Sequence, residues 1–162
     1  MASKFRNSGQ TCICANRIYV HSWIHDSYVD SLKSEISKLV VGDGMKPGVT
    51  QGPLINEQAV QKVEGLVADA LQKGARIVTG GKRVPGTTCY EPTLLTGVTQ
   101  DMDITRTEIF GPVVPVQKFE TEDEVLNLAN QGRTGLAGQC AFQTSSLFYV
   151  IFTEYIHALA LV

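Results

Sequence analysis

A short β-branched and aromatic run, Ile18-Tyr19-Val20, is followed at once by apolar residues at helical spacing, Ile24, Tyr28, Leu32, Ile36 and Leu39. A strand that hands directly to an amphipathic helix must bury both apolar faces against each other, and that requirement selects a layered α/β fold. Ser22 is placed to cap this helix, with Asp26 in its first turn, and the spacing predicts helix from Trp23 to Val40. Glycines at 42, 44 and 48, with Pro47, forbid its continuation. A second helix is predicted from the capping residue Asn56, with Val60, Val63, Val67, Ala70 and Leu71 on one face and Gly74 as its left-handed terminator. Ala75 to Thr79 reads as a strand ended by Gly80-Gly81, and Val113 to Phe119 as another despite Pro115. Thr121 and Glu124 form a capping-box pattern that sets a third helix over Glu122 to Asn130. Strands alternating with helices imply a mostly parallel sheet flanked by helices.

The 162 residues suffice for one domain with a core, and a hydrophobic content of 43% is that of a globular chain. A net charge of −2 with scattered Lys and Arg gives no basis for nucleic acid or an anionic membrane as partner. The apolar stretch from Leu147 to Val162 is shorter than a bilayer span and carries Glu154 near its middle, so no membrane crossing is expected. It reads either as a buried segment or as a terminal sequence outside the fold.

The cysteines are Cys12, Cys14, Cys89 and Cys140. None forms the paired spacing of a zinc site, and no metal is expected. His21 and His25 lie four apart, for which a packed or solvated role is the expectation. Cys12 stands apart because it follows Gly9-Gln10-Thr11, close to Arg6. A free thiol with a pKa of about 8.5 is only a few per cent thiolate at neutral pH, so a reactive cysteine needs backbone N–H groups or a cation nearby. Gly80-Gly81-Lys82 lacks the spacing of a phosphate loop and is explained by a turn, as Thr50 to Ile55 is by a structural loop between helices.

The pattern Phe5-x-x-x-Gly9-Gln10-x-Cys12 resembles the nucleophile motif of the aldehyde dehydrogenases, and the run from Lys4 to Arg17 resembles the succinate-semialdehyde dehydrogenases among them. Glu108-Ile109-Phe110-Gly111-Pro112 resembles that family's second motif, with Thr107 where relatives commonly carry an acidic residue. The resemblance implies that Cys12 is the nucleophile, that Glu108 and Phe110 contact the nicotinamide end of NAD or NADP, and that Arg6 clamps a substrate carboxylate. It also implies a small aldehyde substrate, a homo-oligomeric parent enzyme, and a minority option in which Cys12 and Cys14 form a redox disulfide.

The resemblance runs from Ala2 to Gly138, a catalytic-domain segment, with 139–162 as a divergent apolar tail. The dinucleotide-binding units, the general base and part of the oxyanion hole of such enzymes are expected upstream of this segment, so little dehydrogenase activity is expected of the chain alone. A non-catalytic isoform that associates with full-length subunits is the alternative. No Arg-rich presequence is visible, and the expected compartment is intracellular: mitochondrial if the chain follows animal relatives, cytoplasmic otherwise.

Overall fold

The computed structural model describes residues 1–132, 135–144 and 147–155. A helical turn α1 (Ala2–Phe5) leads through a 3-10 turn (Arg6–Gly9) to β1 (Arg17–His21) and α2 (Ser22–Ile36). Then follow α3 (Glu57–Gln72), β2 (Arg76–Thr79), β3 (Thr93–Thr96), β4 (Val113–Phe119), α4 (Glu122–Asn130), β5 (Gly135–Thr144) and β6 (Leu147–Tyr155). The strands form one sheet in the order β2-β3-β4-β1-β6-β5. β3, β4 and β1 pair in parallel, while β2, β6 and β5 join through antiparallel pairings. Strands β1, β3, β4 and β5 therefore run one way, which gives the mostly parallel α/β sheet that the sequence implies. Pro115 is tolerated at a handover, where Leu95↔Pro115 ends the pairing with β3 and Ile18↔Val116 opens that with β1.

Residue parity sorts the core. Side chains alternate across a strand. Ile18, Val20, Leu94, Val114 and Val116 accordingly share one cluster with Val29 and Ile36 of α2. Leu95 and Val113 pack on the opposite face against Val60, Val63, Leu66, Val67 and Ala70 of α3. Tyr19 and Phe119 meet Val125 and Ala129 of α4. The result is α2 on one face of the sheet and α3 with α4 on the other. Each fully buried aliphatic side chain stabilises this arrangement by about 1.5–3 kcal/mol relative to exposure.

The helix ends show where local rules hold and where they yield. Asn56 Oδ1 accepts the Ala59 N–H at 2.9 Å, as its position suggests. At the other end of α3, Gly74 (φ 102°) donates to the Leu71 carbonyl and Ala75 to that of Ala70, the paired bonds of a Schellman terminator. Leu71 is 39% exposed, and Leu66 takes its expected place in the core. Thr121 Oγ1 caps α4 by accepting the Glu124 N–H. The cap of α2 is His21 instead of Ser22: His21 Nδ1 accepts the Trp23 N–H at 3.3 Å, while the Ser22 hydroxyl donates to the Glu120 carboxylate. Helix α2 stops at Ile36, four residues short of Val40, because the Lys38 and Leu39 amides bond in tighter turns to Glu35 and Ile36. Leu39 still packs on the α2 cluster, so the apolar spacing outlasts the helix.

β6 lies antiparallel to β1, with Arg17↔Thr153 to Val20↔Val150 in register. The backbone of the segment expected as a divergent tail thus extends the sheet through Tyr155. Residues 156–162 of that segment lie outside the described residues.

Candidate active site

The polypeptide around Cys12 is anchored on both sides by buried residues, Phe5 (4% exposed), Cys14 (8%) and Ala15 (0%). Between the anchors it winds against its preferred hand: Asn7 (φ 50°), Ser8 (φ 55°) and Gly9 (φ 76°) are all left-handed. Glycine and asparagine accept this conformation readily, but Ser8 adopts it at a cost of about 1–2 kcal/mol. Hydrogen bonds from neighbouring segments hold the strained turn. Ser8 Oγ donates to the Gly52 carbonyl at 3.0 Å, and Gln51 Nε2 donates to that of Phe5 at 3.1 Å. Gln10 Nε2 donates to the Pro53 carbonyl at 3.2 Å, while its Oε1 accepts the Ile55 N–H at 2.9 Å. The Thr50–Ile55 loop braces the cysteine loop through these bonds.

Cys12 itself occupies the tip of a turn. The Cys14 N–H donates to the Thr11 carbonyl at 3.0 Å, which leaves Cys12 and Ile13 exposed at the two central positions. Cys14 points inward, its Sγ 2.7 Å from Thr11 Oγ1. Both are free thiols. The two cysteines thus differ in exposure, Cys12 open to solvent and Cys14 packed. Arg6 begins the same loop with its side chain exposed.

The Glu108 segment lies directly against this loop. A Cβ built on Gly9 would stand 2.1 Å from the Gly111 carbonyl oxygen. Asn16 joins the two segments again: its Nδ2 donates to the Thr107 carbonyl at 3.3 Å and its Oδ1 accepts the Ile109 N–H at 2.8 Å. Ile109 is fully buried, Glu108 half-buried, and Phe110 is 38% exposed with a left-handed φ of 50°. All three non-glycine residues of positive φ among the described residues, Asn7, Ser8 and Phe110, therefore lie in the two motif segments. Such outliers persist where surrounding structure over-determines them, and they cluster at functional sites. Asn16, Ser8 and Gln10 carry this architecture. Asn16 carries no motif signature, because its partners lie 91 and 93 residues away.

Among the described residues no His, Cys, Asp and Glu side chains gather as a metal site. Nor, among those residues, is any helix long and apolar enough to cross a membrane. His21 and His25 are both buried, with His21 bonded to the Glu120 carbonyl and His25 to Asp26.

The structure thus sets an exposed thiol on a braced, strained turn against a carboxylate-bearing loop, the two segments leading into the neighbouring parallel strands β1 and β4. The sequence pattern of the aldehyde dehydrogenase family matches residues 1–148, and the chain belongs to that family. It is 56% identical over 140 residues to the mitochondrial succinate-semialdehyde dehydrogenase of Homo sapiens, covering 85% of this chain and 26% of that one. It is 51% identical over 138 residues to the 3-sulfolactaldehyde dehydrogenase of Pseudomonas putida, covering 85% of this chain and 28% of that one. The crystal structure of succinate-semialdehyde dehydrogenase from Burkholderia pseudomallei superimposes with a TM-score of 0.81 at 52% identity, over 83% of this chain and 28% of that one. The chain thus spans about a quarter of the length of the curated relatives it matches.

Proposed function

We propose that this chain carries the thiol-bearing part of an NAD(P)-dependent aldehyde oxidation site whose substrate is an aldehyde with a remote anionic group, succinic semialdehyde first among them. The observation behind this reading is the junction itself: an exposed Cys12 on a loop locked by Gly9 and Asn16 to the segment of Glu108 and Phe110.

Cys12, as thiolate, adds to the aldehyde carbon, and the developing oxyanion is met by its backbone N–H. Loss of hydride from that carbon leaves a thioester on Cys12, and water then releases the carboxylic acid and restores the thiol. The nicotinamide dinucleotide, when bound, supplies the hydride acceptor. The residues present suit its nicotinamide-ribose end: the half-buried Glu108 carboxylate offers lone pairs to ribose hydroxyls, and the exposed Phe110 ring offers an apolar face.

Arg6 supplies the substrate preference. Its planar guanidinium meets a carboxylate or sulfonate with two parallel hydrogen bonds. The two dehydrogenase relatives described above take aldehydes that end in these two anions, which supports an anion clamp and puts succinic semialdehyde and sulfolactaldehyde in competition as substrates. In an enzyme of the relatives' full length that bears this segment, the test follows NAD(P)H formation at 340 nm with each anionic aldehyde and with a neutral aldehyde of equal length. Turnover lost in Cys12→Ser is the expected result. Turnover that survives it refutes the assignment.

A further inference from the structure

Asn16 lies four residues past Cys12, at the entrance to β1, and both ends of its side-chain amide are used. Nδ2 donates to the Thr107 carbonyl at 3.3 Å, and Oδ1 accepts the Ile109 N–H at 2.8 Å. The two contacts straddle Glu108, one on each side of it. They also fix the amide's orientation, because a flipped group would set N–H against N–H and oxygen against oxygen.

The rest of the segment leaves Glu108 little other freedom. Ile109 is fully buried in the cluster of α3, and Gly111 abuts Gly9 with no room for a Cβ between them. The carboxylate-bearing loop is thus pinned at its start by Asn16, in its middle by the core and at its end by the cysteine loop. Of these, only Asn16 bonds to the backbone on both sides of Glu108 while sitting on the continuous stretch that bears Cys12.

We propose that Asn16 is a positioning residue: its amide sets the Glu108 carboxylate at a fixed place relative to the Cys12 thiol. The proposal rests on the reading of Glu108 as a contact for the nicotinamide ribose. A carboxylate held ready accepts ribose hydroxyls without first being ordered, so the amide contributes to dinucleotide affinity without touching the dinucleotide. Asn16 acts on Cys12 only through chain geometry, and thiol reactivity in the absence of dinucleotide is independent of it.

The test is a double-mutant cycle in an enzyme of the relatives' full length that bears this segment, with hydrogen exchange as a readout that needs no ligand. In Asn16→Ala, amide exchange quickens at residues 107–111 and stays unchanged in α3, and the rate of Cys12 alkylation by iodoacetamide is retained. The dissociation constant for NAD(P)H, read by fluorescence titration, rises about tenfold, the scale of one or two lost hydrogen bonds. In the Glu108→Ala background the same Asn16→Ala change alters it by less than about twofold, since the partner it acts through is gone. An equal rise in both backgrounds, an unchanged affinity, or faster exchange throughout α3 overturns the proposal, because each describes a merely structural asparagine. An enzyme of the relatives' full length that bears this segment and binds no nicotinamide dinucleotide refutes the functional reading instead. The exchange at 107–111 then decides alone whether the amide holds this loop: acceleration there supports the clamp, and its absence overturns it.

Discussion

Gly9 and Gly111 meet backbone to backbone, with the Gly111 carbonyl oxygen only 2.1 Å from where a Cβ on Gly9 would stand. Contact this close welds the cysteine loop to the Glu108 loop, and no residue with a side chain fits at Gly9. The φ of 76° adds a second penalty of about 1–2 kcal/mol for any L-residue with a Cβ. Gly9→Ala is therefore expected to destabilise the protein by more than about 3 kcal/mol in urea unfolding and to abolish aldehyde oxidation. A variant of native stability would show that the loops separate at little cost.

Cys12 is exposed and packs little, Cys14 is buried, and the proposed chemistry belongs to Cys12 alone. Cys12→Ser should lower aldehyde turnover by at least about 10³-fold while shifting stability by less than about 0.5 kcal/mol. Cys14→Ser shrinks a buried, packed side chain while Thr11 and the Arg6 carbonyl can still partner its hydroxyl, so a loss of about 0.5–1.5 kcal/mol is expected, with residual turnover. Melting curves and turnover measured on both variants separate the two roles.

Arg6 is exposed, so its replacement should leave the fold intact. Arg6→Ala is expected to raise KM for succinic semialdehyde by about 10–100-fold, the worth of a charge-assisted hydrogen-bond pair, and to leave KM for a neutral aldehyde unchanged. Equal effects on both substrates would remove the anion clamp from the reading.

Arg17 is buried (7% exposed), and its guanidinium donates to the Leu128 and Ala129 carbonyls at the last turn of α4. The last carbonyls of a helix lack intrahelical donors, the Tyr19 hydroxyl also donates to that of Leu128, and a cation there complements the helix dipole. Arg17→Leu should cost about 1.5–3 kcal/mol, with faster amide exchange in α4. Arg76, exposed on β2, is the control, and Arg76→Ala should cost less than about 0.5 kcal/mol.

Burial pushes the Tyr28 phenol up to about 12, and burial with the nearby charges of Glu64 and Glu91 does the same for Tyr90. The fold disfavours their phenolates. Their contribution to stability is therefore fully present below the unfolded value of about 10 and is lost as pH rises from there through about 12. Absorbance at 295 nm should show Tyr28 and Tyr90 titrating late, together with Tyr19, whose phenol burial also raises, and Tyr28→Phe should remove one of the three. Complete titration near pH 10 in a still-folded protein would contradict this.

Much of this was readable from local pattern. Asn56, Gly74 and Thr121 cap or terminate helices where their chemistry says they should, because a cap depends on neighbours within four residues. Cys12, Glu108 and Phe110 were visible as motifs, and the fold brings their segments together. Four other features escaped. Strand β3, Thr93–Thr96, is too short to show a period. His21 displaced Ser22 as cap because its ring nitrogen reaches the Trp23 amide, and Ser22 found Glu120 across the chain. Leu71 and Leu66 exchanged burial because the covered face of α3 is set by its partners in the sheet and by Met102 and Ile104. The braces from Asn16, Ser8 and Gln10 are long-range bonds by ordinary polar residues, which leave no periodic trace in a sequence.

The division of the core by odd and even positions constrains how a gene for such a chain can change in length. One codon gained or lost within β1 or β4 would turn Tyr19 or Phe119 toward α2 and send Ile18, Val20, Val114 or Val116 to the opposite helices, so the frame of each strand is fixed to the single residue. The exposed stretch from 43 to 48 bears no such constraint. Length differences among natural members of this family should accumulate there and avoid the two strands, a pattern that aligned genomes can confirm or refuse.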